Sequence, residues 1–272
     1  MPRPRSPARG GSGVASGCHR GGCARSYPNG CSQCNPPGVA TLPPMKIAFL
    51  GTGSAFSLER YNGAVVVDGR LLLDGGAPLL PHMHRLGIDP GGIEALFLTH
   101  FHGDHVLGLP TFLLYRAFVH SGPLVVVGPP GVEERLEQLL SLAWGDEWPG
   151  FREQIGLAYH EAGTSGEVAG VRYETVKLEH GEQDCRGYRL HLDGRILAYA
   201  GDTTATPPLD QLVRGASVAI TEATGPDGDD VHTSWDQAQA LAARHPGTRF
   251  LFNHVYSGTT PGAADDLAVV DA

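Results

Sequence analysis

Past residue 44 the chain has a single cysteine, Cys185; the other four, Cys18, Cys23, Cys31 and Cys34, sit in the opening segment. A lone thiol points to an inert packing residue and gives no sign of disulfides or an oxidising compartment. Long apolar runs are missing as well. None approaches the ~18–20 residues that cross a bilayer, and the N-terminus lacks the apolar core of a secretory signal. These absences predict a soluble, cytoplasmic protein with no membrane partner. Residues 1–44 lack Asp and Glu, carry five Arg and are rich in Gly, Ser and Pro. Such a segment buries too little to offset its ordering entropy, so a disordered tail is expected, with Met45 near the true start. Cys31 and Cys34 have the CxxC spacing of a zinc pair, but nothing around them signals a strand or helix to hold it. Positive charge is scarce in the remainder: residues 45–272 keep 15 of the 20 Lys and Arg against all 29 Asp and Glu, a formal charge of −14. The broad basic footprint of a nucleic-acid binder is absent, which weighs against a polyanionic substrate.

What is present is an alternation of short apolar runs and helical stripes. Strand-like runs occur at 46–50, 64–67, 70–73, 95–98, 124–127, 170–178, 188–192, 196–200, 217–220 and 250–252. Val132, Leu136, Leu139, Leu140 and Ala143 make one helical stripe; Ala238, Leu241 and Ala242 make another behind Ser234, a ready N-cap. Hairpins and crossovers in this order predict an α/β fold, a four-layer αββα sandwich, in one domain over 45–272.

The densest chemistry is "THFHGDH", residues 99–105, directly after an apolar run. His100 and His102 alternate on an extended backbone, so both rings face one way, while Asp104 and His105 follow where the chain turns into a helix. Imidazole nitrogen and carboxylate oxygen are ligands for zinc, manganese or iron, and this cluster can feed two adjacent ions. More ligands are then needed, and His180, Asp202 and His254 each end an apolar run, where sites are commonly built. His82 and His84 lie two apart in a helix and face different ways; His120, His160, His191 and His245 lack ligand neighbours and are expected to be solvated.

In order and spacing, "THFHGDH", the "GDT" at 201–203 and the late His254 resemble the metallo-β-lactamase fold hydrolases. The resemblance implies one divalent ion held by His100, His102 and His180, a second by Asp104, His105 and His254, and Asp202 bridging them. Zinc is the expected metal, with manganese or iron as alternatives. Such a pair suits hydrolysis.

Finer features resemble the ribonuclease Z branch and its phosphodiesterase relatives: "FLGTGSA" at 49–55, Arg60, Asn62, "LLLDGG" at 71–76, "GLP" at 108–110 and "VGPPGVEERL" at 127–136. Glu222 and His232 match the pair that assists the leaving oxygen there, although Thr221 stands where the branch often has His. The alternative for His232 is a cap on the next helix. Asp104, Glu222 and His232 are the expected catalytic side chains. The long arm that grips transfer RNA in bacterial ribonuclease Z has no counterpart; instead 144–151 offers Trp144, Trp148 and Phe151 among Gly and Pro, either a lid over a small substrate or an anchor on the core. The expectation is a phosphodiesterase resembling ribonuclease Z without its arm, acting on a small phosphodiester or RNA, with homodimerisation implied by the branch. The alternatives are hydrolysis of a cyclic nucleotide, lactone or thioester, or metal retention without turnover.

Overall fold

A computed structural model describes residues 44–119 and 122–272. The expectations for the opening segment, including the Cys31–Cys34 pair, and for His120 lie outside the described residues. Thirteen strands among the described residues form two sheets. The first holds β1 (Lys46–Gly51), β2 (Ala64–Val67), β3 (Leu71–Leu73), β4 (Ala95–Phe97), β5 (Leu124–Gly128) and β6 (Leu157–Glu161). The second holds β7 (Ser165–Val168), β8 (Val171–His180), β9 (Gln183–Leu192), β10 (Arg195–Tyr199), β11 (Val218–Glu222) and β12 (Arg249–Asn253); β13 (Val269–Asp271) returns to pair with β1. Strands β3 to β6 run parallel, as do β10 to β12, while β7 to β10 form an antiparallel meander.

The helices are α1 (Leu79–Arg85), α2 (Gly103–Val106), α3 (Leu109–Phe118), α4 (Val132–Trp144), α5 (Trp148–Ile155), α6 (Pro207–Val213) and α7 (Trp235–Arg244). Three apolar layers show how they stack. Phe49, Val65, Phe97, Tyr188 and Ile220 fill the space between the two sheets. Leu96, Leu113, Leu136 and Trp148 pack helices on the outer face of the first sheet, and Leu209, Leu212 and Leu241 pack α6 and α7 on the second. Because each central strand is covered on both faces, its residues read as unbroken apolar runs. The layers are α, β, β, α, as the pattern predicts.

Helix starts follow local rules. Ser234 accepts from the Gln237 amide at 3.2 Å while the Gln237 side chain accepts from the Ser234 amide at 2.9 Å, a reciprocal cap worth roughly 1 kcal/mol. Ala143, assigned to the α4 stripe, is exposed at the fraying end of that helix. The larger difference concerns 144–151: α5 begins at Trp148 with Pro149 in its first turn, where a missing N–H costs nothing, so Gly and Pro here open a helix rather than make a loop.

Candidate metal centre

The parallel strands of both sheets point their carboxyl ends at one pole, and every predicted ligand lies there. The backbone leaving β4 is extended through His100 and His102, then α2 places Asp104 and His105 in its single turn. His180 is the last residue of β8, turned back through Gly181 at φ 57. Asp202 follows β10, and His254 follows β12 with φ 54. Close approach is built with glycine: a Cβ on Gly76 would strike the Asp104 carbonyl oxygen, and one on Gly201 would sit 2.6 Å from the Thr99 side chain.

These residues resolve into two overlapping groups whose ligand atoms all lie within 4.8 Å of one another: His100, His102, His180 and Asp202, and Asp104, His105, Asp202 and His254. Asp202 is shared. Its Oδ2 is 3.7 Å from His100 Nε2 and 3.1 Å from His254 Nε2, and its Oδ1 is 3.3 Å from His105 Nε2. Nε2 of His100, Nε2 of His105 and Oδ1 of Asp202 are buried without a hydrogen-bond partner. Native proteins rarely bury such atoms unpaired, and a cation ligated by them removes the penalty. The donor set, imidazoles and carboxylates, fits divalent metals such as zinc.

Electrostatics differ across the centre. Burial and the neighbouring His105 pull the His100 pKa well below its ordinary value, and burial and His180 lower that of His102. Burial also opposes charge on His254, yet Asp202, Asp104 and Glu222 around it push its pKa up to about 10. His105 is likewise raised, against its burial, by Asp202, Asp74 and Asp104. Asp202 and Asp104, despite burial, are held well below the usual carboxylate range by the histidines they face.

The rings are fixed from behind. His105 Nδ1 donates to Asp74 Oδ2 at 2.9 Å, which leaves Nε2 with the lone pair a ligand needs. Asp74 is wholly buried at φ 55 and also accepts from Thr99 N at 2.8 Å, from Thr99 Oγ1 at 2.9 Å and from Tyr199 Oη at 2.8 Å. By pattern alone Asp74 carries no role, since a lone aspartate before two glycines reads as a turn. His100 Nδ1 donates to Thr99 Oγ1 at 3.0 Å, and His180 Nδ1 to the Val231 carbonyl at 2.8 Å. Cys185, buried as expected, donates its thiol to the Asp202 carbonyl at 3.2 Å.

Glu222, at the end of β11, is completely enclosed. Its Oε1 accepts from Thr203 N at 2.6 Å and Thr233 N at 3.1 Å, and its Oε2 from Thr224 Oγ1 at 2.7 Å and His232 Nδ1 at 2.9 Å. Burial works against charge on His232, and the Glu222 carboxylate raises its pKa nonetheless. Ser234 caps α7, so His232 is left to the cleft. That cleft, about 1040 Å³, is lined by Asp104, Asp202, His232 and His254 together with Phe56 and Tyr256.

Several expectations are corrected here. Residues 144–151 line no part of the cleft: Trp148 is fully buried with Nε1 donating to Glu137 at 2.8 Å, Trp144 donates to the Pro110 carbonyl at 3.1 Å, and Phe151 packs on the core. The anchor reading stands and the lid does not. His245 is not solvated but pairs with Asp210 at 3.0 Å, and His191 is half-buried at 3.3 Å from Glu174; His160 is exposed as expected. His82 and His84 do face apart: His82 is buried and donates to the Leu50 carbonyl at 2.6 Å, and His84 is exposed.

With this geometry in place, comparison with known proteins assigns the chain. The family described as "Anti-Pycsar protein Apyc1" matches residues 45–254. The chain belongs to that family. Ribonuclease BN of Cronobacter sakazakii is 31% identical over 246 residues, covering 84% of this chain and 74% of the relative. Ribonuclease Z of Mycobacterium marinum is 27% identical over 264 residues, covering 84% and 92%. Among solved structures, the metallo-β-lactamase fold protein YhfI from Bacillus subtilis superposes with a TM-score of 0.68 at 17% identity, covering 84% of this chain and all of that one. The family thus lies among the ribonuclease Z-like metallo-β-lactamase fold proteins, and the chain is a metal-dependent hydrolase. Among the described residues, no helix is long and apolar enough to cross a membrane.

Proposed function

We propose that residues 45–272 form a single catalytic domain that hydrolyses a small phosphodiester with two divalent cations, zinc foremost. His100, His102 and His180 would hold one, Asp104, His105 and His254 the other, with Asp202 between them. When bound, the pair supplies Lewis acidity that activates water near neutral pH and offsets the charge growing on the phosphoryl oxygens. Asp104 borders the cleft and would accept a hydrogen bond from the attacking water. His232 donates its proton to the departing alkoxide oxygen, with Glu222 holding the ring through Nδ1 so that Nε2 is the atom left for the cleft. Glu222, wholly buried, touches no substrate and acts through His232 and His254.

The observation that carries this reading is the sharing of Asp202 between two ligand groups in a cleft that also holds a carboxylate-backed histidine. The size of the substrate is argued from charge. Among the described residues no Lys or Arg lines the cleft, whereas Glu182, Asp227 and Asp229 do, and polyanions bind through phosphate neutralisation. A single phosphodiester suits such a lining better than RNA.

The full-length protein with zinc or manganese is expected to hydrolyse bis(p-nitrophenyl) phosphate and a cyclic mononucleotide, and to lose both activities with a chelator. His232→Ala should lower turnover by about 10²- to 10⁴-fold, the range for a lost general acid. No diester hydrolysis at all would sink the proposal; faster cleavage of precursor transfer RNA would return the assignment to RNA, the class named in its relatives. Cytoplasmic residence rests on composition and homodimerisation on family resemblance; light scattering tests the latter.

A further inference from the structure

The walls of the cleft hold two large rings that a folding chain would ordinarily bury. Phe56 is 78% exposed and Tyr256 is 51% exposed, and both line the cavity that contains Asp104, His232 and His254. Single exposed aromatics are common and need no account. Two on separate loops, in the same cleft as the ligands, make a local apolar surface of the kind that marks a binding site.

The loops that carry them are tied together and to the centre. Val255 N donates to the Thr52 carbonyl at 2.8 Å, Ser54 N donates to the Val255 carbonyl at 3.1 Å, and Tyr256 N donates to the Thr224 carbonyl at 2.8 Å. Thr52 is pinned in turn by Asp266, which accepts its amide at 2.8 Å and its hydroxyl at 2.7 Å, and Arg60 bonds the Ala264 carbonyl at 2.7 Å. The rings face solvent while their backbones are held, so little ordering is left to be done when a ligand arrives.

The rest of the lining narrows what that ligand can be. With carboxylates at Glu182, Asp227 and Asp229 and no Lys or Arg among the described lining residues, an anionic group away from the histidines has no guanidinium or ammonium partner. A planar, uncharged ring does, because stacking on an aromatic face needs neither charge nor a fixed donor pattern. We infer that Phe56 and Tyr256 form a stacking platform for a planar aromatic group attached to the phosphoryl group in the cleft, and so determine specificity. The inference rests on the phosphodiesterase reading for its reaction, but the platform itself is testable by binding.

The test uses the full-length, metal-loaded protein and measures, by calorimetry and by competition against bis(p-nitrophenyl) phosphate, the affinities of adenosine 5′-monophosphate, p-nitrophenyl phosphate and ribose 5-phosphate. The aromatic ligands should bind about 5- to 150-fold more tightly than ribose 5-phosphate, the range for one stacked base. Phe56→Ala with Tyr256→Ala should erase that gap and raise KM for aromatic diesters with a much smaller change in kcat, whereas Phe56→Tyr with Tyr256→Phe should restore it. Thermal stability should not move, since both rings are exposed. Equal affinities in the wild type, or a gap that survives the double alanine variant, would overturn the platform. An aryl-only or nucleobase-only preference tells which ring it accepts and supports it. If the wild type hydrolyses no diester yet binds the aromatic ligands preferentially, the reaction fails and the platform stands.

Discussion

The two halves of the proposed metal centre share Asp202 but differ in their own side chains and in how the histidines are supported. In the half formed by His100, His102 and His180, the remote nitrogens of His100 and His180 meet a threonine hydroxyl and a backbone carbonyl, and His102 is exposed at the mouth. In the half formed by Asp104, His105 and His254, His105 is backed by Asp74 at 2.9 Å and His254 has Glu222 behind it at 3.4 Å, both carboxylates fully enclosed. A carboxylate behind an imidazole raises its basicity and fixes its tautomer more firmly than a neutral acceptor does. One half is backed by enclosed carboxylates; the other is backed by a hydroxyl and a carbonyl and opens to the mouth at His102. The difference teaches that histidines of one centre need not bind with equal strength.

Removing the shared residue should abolish the distinction. Asp202→Ala takes a ligand from both halves, so metal content should fall in both and diester hydrolysis should drop by more than about 100-fold, the upper end for loss of a supporting residue alone. Asp74→Asn tests the enclosed half: an amide opposite His105 Nδ1 favours the wrong tautomer, and affinity for the more tightly held of two zinc ions should fall about 10- to 100-fold in a competition titration while the other is retained. If both affinities fall equally, the halves are not independent. Refilling the chelated protein stepwise with cobalt sharpens the same contrast, because its absorption should report the site that contains Asp104 first and the site with three histidines second. Thr99→Val should be the mildest, about 2- to 10-fold on the weaker ion, since one neutral hydrogen bond is worth roughly 0.5–1.5 kcal/mol. Its reach is broader than its size, because the Thr99 hydroxyl also donates to Asp74.

What was legible in the sequence follows from how residues are constrained. The grouping of the proposed ligands could be read because four of them crowd into residues 100–105 and the rest follow apolar residues at strand ends, and folding brings them together. Asp74 could not be, since its importance lies in contacts with Thr99, His105 and Tyr199 that only folding creates. The strands covered on both faces were found, whereas β6, β7 and β13 were missed, and all three lie at sheet edges. Edge strands such as "SGEV" in β7 pack on fewer neighbours and carry polar residues that guard against further pairing, so their pattern fades. Residues 144–151 misled for the opposite reason: composition suggested a loop, and burial of Trp148 made a helix.

At the far pole from the cleft, Met45 and Ala272 exchange a pair of backbone hydrogen bonds, each at 2.8 Å, and the β9–β10 turn lies close by, with Arg195 reaching the Ala272 carbonyl at 3.1 Å. Strand β1 separates this pole from the residue 51–54 loop by roughly 20 Å at the usual rise per residue. The order of segments along the chain is therefore a historical detail rather than a requirement of the chemistry. A circular permutant that joins residue 272 to residue 45 through a short linker and opens between Asp193 and Gly194 should keep every ligand in place.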